Sequence, residues 1–125
     1  MDLRKYLFST TGRFLRKDFW FTTIGVHAAL VLFLFLLLAL AQGKGEAVTV
    51  ELFGFWLPLF SIIACWISAA AQIKRWHDLD KPWPWIFISI IPIVGQLWVF
   101  VECGCCRGSA GENRFGLNPS SREKV

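Results

Sequence analysis

The chain has 125 residues, 55% of them hydrophobic, with a formal charge of +4 and a mean hydropathy of +0.51. That length leaves room for three membrane spans, short loops and two polar ends, but for no separate soluble domain. The basic residues crowd the ends of apolar segments, which points to membrane-surface contacts and away from a nucleic-acid-binding face.

Residues 1–19 read as a cytoplasmic interfacial segment. Leu3, Tyr6 and Leu7 have i, i+3, i+4 spacing, the pattern of a short helix lying at the membrane surface. Ser9, Thr10 and Thr11 offer hydroxyl caps and Gly12 a turn before the next helix. Residues 20–41 carry no formal charge, and a helix rising about 1.5 Å per residue crosses a hydrocarbon core of roughly 30 Å in about 20 residues. This run is longer than the apolar core of a signal peptide, and no small-x-small cleavage site follows it.

Gln42, Gly43 and Gly45 end the first span, and residues 42–51 form an outside loop. Residues 52–73 make the second span, and residues 74–84 a cytoplasmic loop. Pro82 and Pro84 suit the start of a third helix, where a missing N–H costs little. Residues 85–105 form the third apolar segment, interrupted by Pro92 and Gly95, and residues 106–125 a polar tail. Trp20, Trp83 and Trp85 stand near span ends, where indole rings anchor helices at the interface. There is no internal repeat.

Five basic residues precede the first span, one lies in the first loop and three in the second. That bias places the N-terminus and the second loop in the cytoplasm. Three full spans leave the tail outside. A third segment that enters and leaves on one side returns the tail to the cytoplasm, with Lys44 alone outside. Each half of a broken segment is too short to cross, and irregular backbone at depth needs shelter by protein. These arguments favour a kinked third span over a re-entrant one.

Three polar clusters flank the apolar segments: Gly12 to Trp20, Lys74 to Asp78, and Gly111 to Gly116 with Pro119. Arg13, Arg16 and Trp20 fall on one face of a helix, and so do Lys74, His77 and Asp78 if the second helix continues past Ile73. Positive-inside anchoring explains the basic residues, and an anion site explains them as well. Asp78 pairing with Arg13, Arg16 or Arg114 and orienting His77 is the simpler reading; one His and one carboxylate are too few for a metal site. Gly111, Asn113 and Gly116 indicate a tight turn that displays Arg114. Glu102 and His27 read as structural, and Gln72 and Gln96 as hydrogen-bonding groups between helices. Cys65 reads as an apolar filler; Cys103, Cys105 and Cys106 leave open a soft-metal site, a disulfide outside or thiols inside, and the adjacency of Cys105 and Cys106 suits neither C-x-x-C redox chemistry nor common zinc spacing.

Together the clusters resemble the domain-of-unknown-function 805 family, small bacterial inner-membrane proteins. The family pattern reads approximately G-R-x-x-R-x-x-[FY]-W, R-R-L-H-D and G-x-N-R-[YF]-G-x-[DN]-P, and the likeness runs from Gly12 to Pro119. Lys74 stands for the first Arg of the second motif and Trp76 for its Leu; Pro82-Trp83-Pro84-Trp85 replaces a usual Ser-Gly-Trp-Trp. The resemblance implies the inner membrane but no activity.

The expectation is an all-α membrane protein: three transmembrane helices in a small bundle, a short interfacial N-terminal helix and an ordered polar tail. The candidate polar or anion site comprises Arg13, Arg16, Lys74, Arg75, His77, Asp78, Asn113 and Arg114, with no catalytic group, metal or cofactor assigned. The leading functional reading is an interaction or accessory protein whose basic cytoplasmic face binds anionic lipid or a partner. The alternatives are a small oligomeric transporter or channel, and an interfacial enzyme using His77 and Asp78. Small residues at Ser61, Ala64, Ser68 and Ala71 permit close helix contact and suggest a homo-oligomer or a membrane-protein partner.

Overall fold

A computed structural model describes the backbone of residues 3–122 and the side chains through Ser120; the Arg122 side chain and Lys124 of the polar tail lie outside the described residues. The described residues are helical and contain no strand beyond an isolated bridge between Asn113 and Gly116. Helix α1 is Leu3–Phe8, α2 is Arg16–Ala41 and α3 is Glu46–Asp78. A π-helical stretch, Leu52–Trp56, interrupts the ladder near the start of α3.

Among the described residues, only α2 and α3 are long and apolar enough to cross a membrane, with 26 and 33 residues. They pack side by side, with Phe33 stacked on Phe60 at 4.4 Å. Ala64, Ala70 and Ala71 are buried along α3, so part of its small-residue face is covered within the chain. Large apolar side chains point outward from both helices, including Phe21 at 77% and Ile62 at 68% exposure. Surface of that character is favourable in lipid and costly in water.

The third apolar segment is not a single helix. Trp83–Ile90 is a 3₁₀ helix, and α4, Val94–Cys105, starts after a sharp reversal. At the reversal the Val94 N–H donates to Pro92 O at 2.7 Å, while Ile93 sits at φ 64°, ψ −66°. This is a γ-turn of the rare hand, a strained conformation for a β-branched residue. Pro92 leaves its preceding residue disinclined to helix, which helps end the first arm.

The two arms then lie against each other. A Cβ at Gly95 would stand 1.8 Å from Ile88 O, so only glycine allows this approach. Gln96 Nε2 donates to Ser89 O at 2.8 Å, and Ser89 Oγ donates to Gln72 Oε1 on α3 at 2.8 Å. At the open end Lys81 Nζ and Glu102 Oε2 form an ion pair at 2.5 Å. The hairpin therefore returns to the end of the bundle from which it departs.

That end also holds the core. Phe19, Trp76, Val99 and Cys103 are buried together, with Trp20, Leu79 and Ile88 packed around them. Burying a large apolar side chain contributes about 1.5–3 kcal/mol, so this cluster joins α2, α3 and α4 firmly. Helix α1 folds back onto α3, where Trp66 Nε1 donates to Phe8 O at 3.3 Å and Lys74 Nζ donates to Tyr6 O. Both bonds satisfy carbonyls at the end of α1 that have no partner within the helix.

Candidate functional site

Residues 12–15 are extended, because Gly12 at φ 95° turns the chain and the Phe14 N–H donates to Lys74 O at 3.1 Å. Arg13 therefore precedes α2, and the helical face expected for Arg13, Arg16 and Trp20 is not formed. The extended segment instead lays Arg13 across the end of α3. Its Nε and Nη2 donate to Asp78 Oδ1 at 3.0 and 2.8 Å. Nη1 donates to Gly111 O at 2.7 Å and Gly116 O at 3.0 Å, and Nη2 to Ser109 O at 2.7 Å. Arg75 Nη1 donates to the other carboxylate oxygen, Asp78 Oδ2. Asp78 is thus held by two guanidinium groups, and all three side chains are almost wholly buried. Burying charge is tolerable here because the ions are paired and their remaining donors are bonded.

A second set of bonds closes the C-terminus of α4. Arg75 Nε donates to Cys103 O at 2.7 Å and Nη2 to Cys106 O at 2.5 Å. Trp20 Nε1 donates to Gly104 O at 3.2 Å, and Arg16 Nη1 to Cys105 O at 3.1 Å. The last carbonyls of a helix lack partners within it, and here four in succession are capped by side chains from α2 and α3. Cations at this end also oppose the negative pole of the helix. Gly104 lies against the Trp20 ring, where a Cβ would be 2.7 Å from the indole.

The tail docks on the same surface. Ser109 donates through N and Oγ to Asp78 O at 2.8 and 3.0 Å. Asn113 Nδ2 donates to His77 O at 2.9 Å, while its Oδ1 accepts from Phe115 N at 2.9 Å. Residues 113–116 form the expected tight turn, with Gly116 at φ 118°. The His77 ring stacks on Phe115 at 3.9 Å, and its Nδ1 lies 3.2 Å from Gly12 O. His77 lies beyond the apolar run that ends at Ile73, and burial pushes its pKa below the usual histidine value, partly offset by the Gly12 carbonyl.

The structure thus gathers Arg13, Arg16, Arg75, His77, Asp78 and Asn113 at one end of the bundle. Lys74 stands apart, buried under α1 with its Nζ 4.0 Å from the centre of the Phe14 ring. Arg114 is exposed and bonds to Asp80 through Nε at 3.2 Å and to Asp80 O at 2.6 Å. Trp20 turns inward rather than toward a surrounding medium, whereas Trp83 and Trp85 are on the surface. Ser9 Oγ accepts from the Thr11 N–H and shares a hydrogen bond with the Thr11 hydroxyl, folding the α1–α2 link without capping α2. His27 Nδ1 bonds to Thr23 O at 2.7 Å within α2.

Beside the buried arginines lies a cavity of about 490 Å³, between the start of α2 and the tail. Arg16, Lys17 and Arg107 line it with Ser109 and Asn118, and Asp78 contributes at its wall. Gly108 forms part of that wall because a Cβ there would stand 1.7 Å from Asp78 Oδ2. Sequence reasoning missed Lys17, Arg107 and Asn118 as neighbours. Arg107 and Asn118 reach the α2 terminus only because the hairpin brings the tail back.

The residues of this network fall within one known family. The family model described as "Protein of unknown function (DUF805)" matches residues 7–117. The chain belongs to the DUF805 family. This DUF805 chain is 32% identical over 110 residues to "Inner membrane protein YhaH" of Escherichia coli strain K12, covering 86% of this chain and 84% of that protein. It is 28% identical over 114 residues to "Inner membrane protein YhaI" of the same strain, with coverage of 87% and 84%. It is also 28% identical over 142 residues to the "Uncharacterized protein YiiR" of that strain, with coverage of 93% and 89%. No solved structure matches the DUF805 chain. The inner-membrane relatives accord with the two long apolar helices.

Proposed function

We propose that this DUF805 protein is an inner-membrane interaction protein whose basic cytoplasmic head engages anionic lipid. In this reading α2 and α3 cross the bilayer in opposite directions, and their polar ends, residues 12–18 and 74–81, face the cytoplasm. The hairpin of Trp83–Ile90 and α4 then enters and leaves on the cytoplasmic side. Its eight-residue 3₁₀ arm extends about 16 Å, roughly half of a 30 Å hydrocarbon core. Tail docking through Arg13 supports this arrangement, and it leaves Lys44 as the single basic residue outside.

The observation that carries the lipid reading is the alignment of Arg16, Lys17 and Arg107 around one cavity, at the level where α2 becomes apolar. Arg13 and Arg75 hold Asp78 and main-chain carbonyls, which makes them scaffold. His77 is stacked on Phe115 and bonded to Gly12 O, and Asp78 faces arginines rather than His77, so acid-base chemistry has little support. Gln72, Gln96 and Glu102 bond within and beside the hairpin, which gives a solute path no advantage as an explanation.

Two measurements test the proposal. A single cysteine at Ser120, with the native cysteines replaced, is expected to resist an impermeant thiol reagent on intact cells and to react once the membrane is opened. Labelling from outside would overturn the topology. Native mass spectrometry of the detergent-purified chain is expected to retain phosphatidylglycerol over phosphatidylcholine, and equal retention would overturn the lipid reading.

A further inference from the structure

We infer that the cavity between the start of α2 and the docked tail is a binding site for a phosphate group. This inference rests on the lipid reading above for the position of the site, and adds the chemistry that the site recognises.

Three cationic side chains from two distant segments converge there: Arg16 and Lys17 from α2, and Arg107 from the tail. Ser109 and Asn118 add polar lining, with the hydroxyl of Ser109 and the Nδ2 of Asn118 already bonded to carbonyls of residues 78 and 109–110. Among the described lining residues Asp78 is the one carboxylate, and Arg13 and Arg75 pair with it. The volume, about 490 Å³, is within the common range for small-molecule sites, roughly 300–1,000 Å³, and exceeds what one phosphate group requires. It leaves room for the remainder of a headgroup.

Arginine suits this ligand because its planar donors match phosphate oxygens in pairs, whereas lysine adds a point charge. Arg16 keeps further N–H groups beyond the one donated to Cys105 O. Arg16 also lies one helical turn before Trp20, so the cavity opens about 6 Å from the start of the apolar run. A lipid phosphate sits at that depth, and a free phosphate reaches it from the cytoplasm.

The test titrates the full chain, in neutral detergent, with short-chain phosphatidic acid, phosphatidylglycerol and phosphatidylcholine, and separately with inorganic phosphate. Isothermal calorimetry reads the dissociation constants. Arg107→Gln is expected to weaken phosphatidic acid binding about tenfold, the loss of one charge-assisted contact. Arg114→Gln, which removes the same charge from the same tail outside the cavity, is expected to change it less than about twofold, as for screened surface charge. Phosphatidic acid binding that inorganic phosphate does not displace assigns the site to a lipid; displacement at similar concentrations assigns it to free phosphate.

Equal losses for both variants would overturn the site and leave the broader anionic-lipid reading standing, since diffuse charge would then explain the binding. Loss of any preference for anionic over zwitterionic lipid in the parent chain, with no binding of inorganic phosphate, would overturn both.

Discussion

Replacing Arg13 by alanine is expected to release the tail without unfolding the bundle. The substitution removes five hydrogen bonds: two to Asp78 and three to the carbonyls of Ser109, Gly111 and Gly116. Asp78 keeps Arg75, so no buried carboxylate is left alone. Ser109 O keeps the Asn118 amide and Gly116 O keeps the Asn113 N–H. Gly111 O is the acceptor with no other hydrogen bond among those described. Breaking a buried pair typically costs about 3–5 kcal/mol, and the surviving partners place this case near 3 kcal/mol. That corresponds to a drop of roughly 100-fold in the ratio of docked to undocked tail. Amide hydrogen exchange in detergent reads it directly at Ser109, whose N–H donates to Asp78 O across the tail–α3 contact. Its exchange is expected to accelerate about 100-fold while amides in the middle of α2 and α3 keep their protection. Arg13→Lys is expected to restore less than half of the loss, since one ammonium cannot reach acceptors in three directions. Unchanged exchange at Ser109 in the alanine variant would refute the clamp.

Gly95→Ala is expected to open the hairpin, because its Cβ meets Ile88 O at 1.8 Å; cysteine pairs placed at Ile88 and Gln96 should crosslink in the parent and fail in the variant. Ile93→Gly is expected to stabilise the fold by about 1 kcal/mol by relieving a β-branched residue at positive φ, read as a higher thermal midpoint in detergent. Acidification is expected to weaken the head through His77, whose pKa is lowered by burial. The unfolded chain takes up a proton first as pH falls below about 6.5, so stability is lost from there down through the folded-state pKa. His77→Gln is expected to flatten that part of the midpoint-versus-pH curve.

The two long helices were legible because length and hydropathy suffice to define a span, and both survive in the structure. The third segment was harder. Pro92 and Gly95 signalled a break, but the same residues serve a kinked span and a reversal. The close approach of Gly95 to Ile88 O and the pairing of Lys81 with Glu102 accompany the reversal, and these are tertiary facts. Of the motif residues, Arg13, Arg16, Arg75, His77, Asp78 and Asn113 meet at one end of the bundle, whereas Lys74 and Arg114 lie apart from them. Helical periodicity was extended backward through Arg13, whereas Gly12 and the bond from Phe14 N to Lys74 O hold that stretch extended. Pairing of Asp78 with Arg13 follows from chemistry alone, but its second partner is Arg75 rather than Arg16 or Arg114. Arg107 and Asn118 were missed because a tail placed across the bilayer has no reason to meet the first helix.

The clamp on α4 reads peptide oxygens, so the identity of most side chains along that stretch is chemically indifferent. Cys105 and Cys106 are exposed, and serine at either position would present the same carbonyl to Arg16 or Arg75. Cys103 differs, since its thiol is in the core and a small apolar replacement such as alanine fits better there. Gly104 and Gly108 differ too, for want of space. Such a joint lets the surface of the protein diversify at this corner while its architecture stays put, and it makes a cysteine-free chain a sound vehicle for site-specific labels.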